Sequence, residues 1–306
     1  MESATQAVAE ALVRATARLR KCGSDSARLD AEVLLGDVLG LDRSALATHP
    51  RALLGDGHVE AFESHLQRRC DGEPVAYIRG IKEFYGVAIR VDARVLIPRP
   101  ETETLVALAI ERTRDDLTAA PREADAAPYL IWDIGTGSGA IAVAIAAELR
   151  KRRYGKSVQF HLSDASTDAI AVAKLNAVSH GVADLMTFAR GDLTDVSPAP
   201  AKPADLLLAN LPYIPSGSMA GLPVAASFEP ARALDGGDDG LALVRRLLSG
   251  LAAGLGPSGL GLLEIGADQV EGVVDAVGRS LPDWNVAIHP DLSGSPRVVA
   301  LEQHDG

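Results

Sequence analysis

The sequence has few cysteines, no long apolar run and no leader-like beginning. Among its 306 residues are two cysteines, Cys22 and Cys70, which match no metal-ligand spacing. We therefore expect no disulfide framework, no metal site and a reducing, cytoplasmic environment. Residues 1–10 lack a basic region followed by an apolar stretch, so no signal peptide is predicted. Apolar runs are too short to span a bilayer, which predicts no membrane partner.

Concentrated positive charge is also missing. The net charge is -11, and the clustered basic residues are Arg68–Arg69 and Lys151–Arg153. Such short clusters are typical of solvated helix ends rather than of a surface that binds phosphates. The charge distribution therefore argues against direct binding of nucleic acid.

The first quarter of the chain has a helical pattern. Apolar residues recur at helical spacing in two stretches, which contain Leu29, Val33, Leu34 and Val38 in the first and Val59, Phe62 and Leu66 in the second. Ser24 and Asp25 are predicted to cap the first of these helices. We predict that residues 1–75 form a small helical domain, for which a role in packing alone remains an alternative.

Residues 76–97 are predicted to be a β-hairpin that links two domains. The apolar runs Val75–Ile78 and Phe84–Val91 favour short strands on either side of a turn at Gly80.

Residues 98–306 are predicted to form one α/β domain. Pro98 and Pro100 introduce a helix, and the polar stretch 114–128 predicts a surface loop. Strand and helix patterns then alternate, which indicates a doubly wound, mainly parallel, seven-stranded sheet. The predicted strands are 129–134, 158–163, 185–189, 204–209, 259–265, 284–289 and 296–301.

A glycine-rich loop follows the first predicted strand of this domain. The run Asp133-Ile134-Gly135-Thr136-Gly137-Ser138-Gly139-Ala140 leads into a helix. Glycines allow a tight turn and a close approach of the backbone to a ligand, but this pattern also fits the dinucleotide fingerprint. Asp133 favours S-adenosylmethionine over NAD, because a carboxylate would repel a pyrophosphate and would attract the ammonium group of S-adenosylmethionine.

Two further acids follow the next two predicted strands. Asp164 ends the second strand, where a carboxylate can accept hydrogen bonds from ribose hydroxyls. Asp192 follows the third strand and is predicted to accept from the adenine amino group. Gly191-Asp192 is also a common turn pair, so an ordinary turn is the alternative for Asp192.

The fourth predicted strand runs into Asn210-Leu211-Pro212-Tyr213. An amide or exocyclic amine nitrogen is a poor nucleophile because its lone pair is delocalised. The Asn210 oxygen and a backbone carbonyl in Leu211-Pro212 can accept its protons, and Pro212 favours extended geometry at Leu211. Tyr213 offers a flat surface to a flat group. These four residues are predicted to bind substrate, and Asn210, Pro212 and Tyr213 to be catalytic, the alternative being an ordinary strand exit.

The chain resembles the N5-glutamine methyltransferases that act on peptide chain release factors. The resemblance covers nearly the whole chain and is carried by four segments, EPVAYIRGIKEFYGVAIRVDARVLIPRPETETLV at 74–107, IGTGSGAIAVA at 134–144, FEPARALDGGDDGL at 228–241 and Leu263-Glu264-Ile265-Gly266. It implies the class I, Rossmann-like methyltransferase fold and a helical N-terminal domain that docks the protein substrate. It also implies that S-adenosylmethionine binds at Asp133, Gly135, Thr136, Gly137, Ser138, Gly139, Asp164, Asp192 and Asn210.

The implied substrate is the glutamine of the Gly-Gly-Gln motif in class 1 release factors. The family's usual tetrapeptide is Asn-Pro-Pro-Tyr, so Leu211 is a departure that lowers local rigidity. The ending 291–297 also departs, with Ser295-Pro296 where polar or charged residues are usual.

Three other functions remain open from the sequence. A glutamine methyltransferase acting on a ribosomal protein would differ mainly at the surface of the N-terminal domain. An adenine-N6 methyltransferase would use a similar tetrapeptide but would need a basic face. A catalytically silent binding module is disfavoured by the intact Asn210 and Asp164.

Overall fold

The computed structural model describes residues 6–120 and 127–304. The chain folds as two compact units, one made of the chain up to Ile81 together with Pro223–Phe228, and the other of Lys82–Leu222 and the chain from Glu229 onward. Within the part of the chain that the structure describes, no helix is both long and apolar enough to cross a membrane.

The first unit is built from short helices around an apolar core. Its helices are α1 (Val8–Lys21), α2 (Ala27–Leu39), α3 (Arg43–Thr48), α4 (Asp56–Cys70) and α5 (Val75–Arg79), and the two-residue strands β1 (Gln6–Ala7) and β2 (Leu53–Leu54) pair antiparallel. Leu34, Phe62 and Leu66 are buried in this core, as the helical spacing predicts. The expected caps of α2 are wrong, because Ser26 precedes the helix and the Ser24 hydroxyl donates to Asp30 instead.

The expectation that the cysteines stay unpaired is wrong. Cys22 follows α1 and Cys70 ends α4, and the two are joined by a disulfide with their Cα atoms 5.2 Å apart. This separation is normal for a disulfide. The sequence gives no sign of it because 48 residues separate the two cysteines, and only the packing of the helices brings their ends together.

Two predictions for the hairpin region are also wrong. Val75–Ile78 is part of the helix α5, which ends at Gly80 in the left-handed conformation that commonly closes helices. The hairpin comes later, as β3 (Ile81–Phe84) and β4 (Val87–Arg90), and its turn is Tyr85-Gly86. Both turn residues have positive φ, as a two-residue hairpin turn requires. The apolar pair Tyr77 and Ile78 is buried along one helical turn, and this produced the strand-like pattern.

The second unit is a mixed eight-stranded sheet with flanking helices. Its strands are β5 (Tyr129–Ile134), β6 (Val158–Asp164), β7 (Met186–Asp192), β8 (Asp195–Ser197), β9 (Ala204–Ala209), β10 (Leu255–Glu264), β11 (Trp284–Pro290) and β12 (Pro296–Gln303), in the order β11-β12-β10-β9-β5-β6-β7-β8. Strands β7, β6, β5, β9 and β10 are parallel, and the outer pairings are antiparallel. The predicted α/β fold and its seven strands are confirmed, and the three-residue β8 is too short to predict.

The helices of this unit are α6 (Glu103–Ala119), α7 (Ala140–Lys151), α8 (Thr167–Ser179), α9 (Ala242–Gly254) and α10 (Val270–Ser280). Helix α6 follows a 3-10 turn at Pro100–Thr102, so the helix predicted after the prolines is confirmed. It continues to Ala119 because Thr113 and Leu117 remain on its buried face, so the loop predicted from residue 114 begins too early. Residues 121–126 of that predicted loop lie outside the described residues.

The side chain of Asn176 joins the hairpin to the glycine loop. Asn176 lies on α8 and is fully buried. Its Nδ2 donates to the Arg90 carbonyl at 3.0 Å and to the Ser138 carbonyl at 2.8 Å, and its Oδ1 accepts from the Arg90 amide at 2.8 Å. One side chain therefore satisfies backbone groups of β4 and of the loop.

We predict that Asn176→Ala lowers the free energy of unfolding by about 1–3 kcal/mol, because it leaves buried backbone groups without partners. Urea denaturation measures this difference. The matched control is Asn285→Ala, since Asn285 is exposed and contacts His304, and a change within about 0.5 kcal/mol is expected there. Equal losses in the two variants would contradict the role given to Asn176.

Candidate active site

The glycine loop between β5 and α7 needs glycine at three positions. Gly135, Gly137 and Gly139 have φ values of +69°, +56° and +76°, a region that other residues rarely adopt. A Cβ at Gly139 would also lie 3.0 Å from the Cβ of Ala173 on α8. The loop is held by the Ser163 carbonyl, which accepts from the amides of Gly135 and Thr136. It follows that the backbone here is shaped for a tight turn and close packing.

A cavity of about 200 Å³ opens beside this loop. It lies at the carboxyl ends of the parallel strands, where ligands bind in sheets of this kind. Among the predicted site residues, those that line it are Gly135, Gly137, Asp164, Asp192, Asn210, Leu211 and Pro212. Asp133, Thr136, Ser138, Gly139 and Tyr213 are not part of its lining. The structure thus brings together residues from four strand ends. The predicted residues that do not line the cavity are close in sequence to those that do.

Asp133 is fully buried and supports the loop from inside. Its Oδ2 accepts from the Thr136 hydroxyl at 2.6 Å, while Oδ1 has no hydrogen-bond partner among the described residues. Burial raises the pKa of Asp133 to about 7; nearby Asp164 adds to the rise and the Thr136 hydrogen bond opposes it. A cation near Asp133 would favour the ionised form. Contact between Asp133 and an ammonium group stays a prediction.

Asp164 ties the loop to the start of α8. Its Oδ2 accepts from the Gly137 amide at 2.9 Å, and its Oδ1 accepts from the Ser166 amide at 2.8 Å. Each carboxylate oxygen can accept more than one hydrogen bond, so acceptor capacity remains toward the cavity. This geometry suits recognition of hydroxyl groups, as predicted for a ribose.

Asp192 ends β7 and pairs with Arg246 of α9 at 2.5 Å. The two side chains are 59% and 54% exposed, and an ion pair at such exposure is weak because water screens it. Arg246 thus shares the carboxylate that the sequence assigns to an adenine amino group. That assignment stays a prediction.

Asn210 follows β9, and its side chain has a fixed partner. Its Nδ2 donates to the Thr102 hydroxyl oxygen at 3.1 Å, and Thr102 is buried at the start of α6. This bond directs the donor end of the amide toward Thr102 and the acceptor end away from it. Thr102 was missed from the sequence because 108 residues separate it from Asn210, although it lies within the 74–107 segment that carries the resemblance.

Leu211 is buried in the core and also lines the cavity. Its Cδ2 atom lies 3.2 Å from the position that a Cβ on Gly135 would take, so the glycine loop packs directly on this side chain. The leucine that replaces the usual proline is therefore held by packing.

Tyr213 is largely buried, and this raises the pKa of its hydroxyl, with the charge of Glu264 adding to the rise. Its carbonyl accepts from the Gln269 side chain at 2.9 Å.

Gly236 and Gly240 pack against the tetrapeptide. The Gly236 amide donates to the Ile214 carbonyl, and a Cβ at Gly236 would lie 2.6 Å from the Pro212 carbonyl oxygen. A Cβ at Gly240 would lie even closer to the Tyr213 carbonyl oxygen. Their signal in the sequence is the glycine-rich stretch within 228–241.

Glu229 is a buried acid beside the cavity that its local sequence pattern does not single out. It is almost fully buried, and it accepts from the Ile97 amide at 3.0 Å and from the Arg99 guanidinium at 2.5 Å. Leu96, which precedes Ile97, and Pro230, which follows Glu229, both line the cavity. Glu229 therefore fixes two parts of the cavity wall to each other.

The hairpin that ends the chain is held by Asp291. Its carboxylate accepts from the amides of Ser293 and Ser295 and from Arg297. Arg297 also donates to the Ile265 carbonyl next to β10. The unusual ending thus forms a closed turn.

We predict that Gly135→Ala weakens binding of S-adenosylmethionine at least tenfold in calorimetry. The added Cβ meets Leu211 and forces a strained φ, which costs of order 1–3 kcal/mol. Gly181→Ala is the control, because Gly181 has a φ of +64° but no atom within 4 Å of the new Cβ. Equal weakening in both variants would mean that the close approach to Leu211 has no role in binding.

Residues 10–80 match the family model described as the PrmC N-terminal domain. The release factor glutamine methyltransferase of Moorella thermoacetica is 38% identical over 288 residues, covering 94% of this chain and 95% of the relative. That of Bradyrhizobium diazoefficiens is 36% identical over 300 residues, covering 97% and 95%.

Among solved structures, the catalytic domain of hMettl16 in complex with a 3′UTR hairpin has a TM-score of 0.53 at 14% identity and covers 84% of this chain and 85% of its own. That likeness concerns the fold alone, which is a class I methyltransferase fold. The sequence relatives extend over nearly the full length of both chains. The chain therefore belongs to the release factor glutamine methyltransferase family.

Proposed function

We propose that the protein transfers a methyl group from S-adenosylmethionine to the side-chain amide nitrogen, N5, of the glutamine in the Gly-Gly-Gln motif of class 1 peptide chain release factors. The observation that carries this proposal is the position of Asn210. It borders the cavity beside the glycine loop, and its amide is oriented by Thr102. The names of the curated relatives support release factors as the substrate class.

The residues beside the cavity support S-adenosylmethionine as the proposed cofactor. When bound, this cofactor supplies an electrophilic methyl group on a sulfonium sulfur. Gly135 and Gly137 permit close approach of the ligand, and Asp164 offers acceptors for ribose hydroxyls. Asp192 is proposed to meet the adenine amino group. Asp133, whose Oδ1 is buried without a partner among the described residues, is proposed to attract the ammonium group.

The target nitrogen needs help because its lone pair is delocalised into the amide carbonyl. We propose that Asn210 Oδ1 and the Leu211 carbonyl accept its two N–H groups. Leu211 is the better candidate than Pro212 because the Pro212 carbonyl lies close to Gly236. Tyr213 would present its flat side chain to the amide.

Catalysis in this proposal is mainly positioning and polarisation. When bound, S-adenosylmethionine would supply its methyl group in line with N5 and its sulfur would keep the electron pair of the S–C bond, while N5 would release one proton to solvent. The acceptors at Asn210 and Leu211 stabilise the positive charge that develops on the nitrogen. We further propose that residues 1–75 dock the release factor, that 76–97 link the domains and that 98–306 carry out transfer.

Cofactor choice is tested first. We expect S-adenosylmethionine to bind more tightly than NAD in calorimetry, because the Asp133 carboxylate lies beside the loop and opposes a pyrophosphate. Tighter binding of NAD would contradict the methyltransferase proposal.

Methyl transfer is tested with labelled cofactor and a whole release factor. We predict that label appears on the motif glutamine and is lost when that residue is glutamate, since a carboxylate has no NH2 group. Asn210→Ala should lower turnover by about 10²–10³ with cofactor binding largely intact, because one preorganised polar contact at the reacting centre is removed. Asn285→Ala, which alters an exposed asparagine, should retain full turnover.

Two outcomes would contradict the proposal. Label on a ribosomal protein or on nucleic acid, with none on release factors, would show that the substrate class is wrong. An Asn210→Ala variant within a few-fold of the unmodified protein would show that the tetrapeptide is only a strand exit.

A further inference from the structure

Glu264 is a buried acid at the end of β10 without a visible partner. The residue is 2% exposed. Both carboxylate oxygens are buried with no hydrogen-bond partner among the described residues. Buried polar groups are nearly always hydrogen-bonded, and burying a lone carboxylate is costly. Such a residue is therefore expected to gain a partner in some functional state.

The register of the sheet places Glu264 beside Asn210. Strands β9 and β10 are parallel, with Leu263 opposite Ala209. Leu263 and Ala209 belong to the same core cluster on one face of the sheet. Successive residues of a strand alternate between faces, so Glu264 and Asn210 both project from the other face. The buried hydroxyl of Thr102 lies on that side too, because it accepts from Asn210.

The surroundings of Glu264 are mixed in charge. Burial raises the pKa of Glu264 to about 7. The Thr102 hydroxyl, the Arg297 guanidinium and the Asn210 amide oppose this rise, and Glu101 adds to it. The charge of Glu264 also contributes to the raised pKa of the Tyr213 hydroxyl. Thr102 and Asn210 thus approach the carboxyl group closely enough to lower its pKa, but neither contact has the geometry of a full hydrogen bond in this conformation.

We propose that Glu264 is a positioning residue that accepts hydrogen bonds from the Thr102 hydroxyl and the Asn210 side-chain amide when the substrate glutamine is bound. The two contacts would hold Asn210 Oδ1 toward the target nitrogen. This inference rests on the proposed function.

The hydrogen-bonding capacity of the three groups supports it. Asn210 Nδ2 carries two hydrogens, and Thr102 takes one of them. Once the Thr102 oxygen has accepted this bond, its own hydrogen still needs an acceptor. A carboxylate has two oxygens and no hydrogen, so it can receive both remaining donors. A glutamine at this position would offer one acceptor oxygen and bring two more donors.

The contact is tested by nuclear magnetic resonance on protein labelled with ¹⁵N at asparagine, in the presence of a glutamine peptide of the Gly-Gly-Gln sequence and S-adenosylhomocysteine, which has no methyl group to transfer. The Asn210 side-chain amide signals should shift with one ionisation, at or below pH 7 because hydrogen bonds to the charged form lower a pKa. The shift should vanish in Glu264→Gln. Glu101→Gln is the matched control, since Glu101 is exposed and also acts on Glu264, and the shift should persist there. Signals that ignore pH, or that titrate equally in Glu264→Gln, would overturn the proposal.

Kinetics give the second test. The ionised form is the acceptor, so kcat should fall as the pH is lowered through this ionisation. In Glu264→Gln kcat should be about 10–100-fold lower at pH 8, as for a lost hydrogen bond to a charged group, and the low-pH decline should be absent. Binding of S-adenosylmethionine should change less than about twofold, because Glu264 does not line the cavity. An unchanged kcat, or a loss confined to cofactor binding, would overturn the proposal.

Stability separates positioning from a structural role. The folded pKa of Glu264 lies above the ordinary value of 4.5, so the stability gained by keeping the proton is full below about pH 4.5 and is lost as the pH rises through about 7. Glu264→Gln should therefore be more stable to urea than the unmodified protein at pH 8 while being less active. A variant that is less stable at pH 8 would indicate a structural carboxylate and overturn the proposal.

Failure of the proposed function is distinguishable from failure of this inference. If the unmodified protein transfers no methyl group to release factors, the proposed function fails. The resonance experiment detects the contact of Glu264 with Asn210 without any turnover, and it decides the inference separately.

Discussion

The alignment of three parallel strands, β5, β9 and β10, is the constraint on which the rest of the structure depends. Ile134 of β5 and Leu263 of β10 are both opposite Ala209 of β9. The next residues in each strand direction, Gly135, Asn210 and Glu264, are therefore brought to one edge of the sheet. A shift by one residue would exchange the faces of a strand and turn Asn210 into the apolar core. The apolar side chains that fix this register thus also place the polar groups of the site.

Residues distant in the chain then fix the groups that the strand ends bring to this edge. Thr102 orients the Asn210 amide, Glu229 holds the Ile97–Arg99 segment, and the Gly236 amide donates to the Ile214 carbonyl. Each contact joins a polar group to backbone or to a hydroxyl that is itself buried or nearly so. Preorganised groups of this kind need little rearrangement when charge develops on a substrate, which is how electrostatic catalysis gains its strength.

The extent to which the sequence predicts this structure follows from the range of the interactions. Buried strands such as β5 and β9, and the glycine loop with its positive φ values, are dictated by residues close in the chain and were predicted. The disulfide of Cys22 with Cys70 and the bond of Asn210 to Thr102 depend on packing across long separations. Val75–Ile78 was misassigned because a short apolar run fits a helical turn as well as a strand. Local pattern therefore indicated the candidate site, whereas the contacts that support it depend on the whole fold.

Asp133 and Glu264 are buried acids of the candidate site. Burial raises the pKa of each to about 7, so each ionised form is less favourable in the folded protein than in the unfolded chain. Packing alone would favour apolar residues at both positions. The hydrogen bond from Thr136 offsets part of this loss of stability at Asp133. One oxygen of Asp133 and both oxygens of Glu264 are buried without a hydrogen-bond partner among the described residues. Acids that reduce stability and retain acceptor capacity are characteristic of sites where function outweighs packing. The glycine loop follows one of them and Asn210 lies beside the other, so the loss of stability falls at the site that we propose binds ligands.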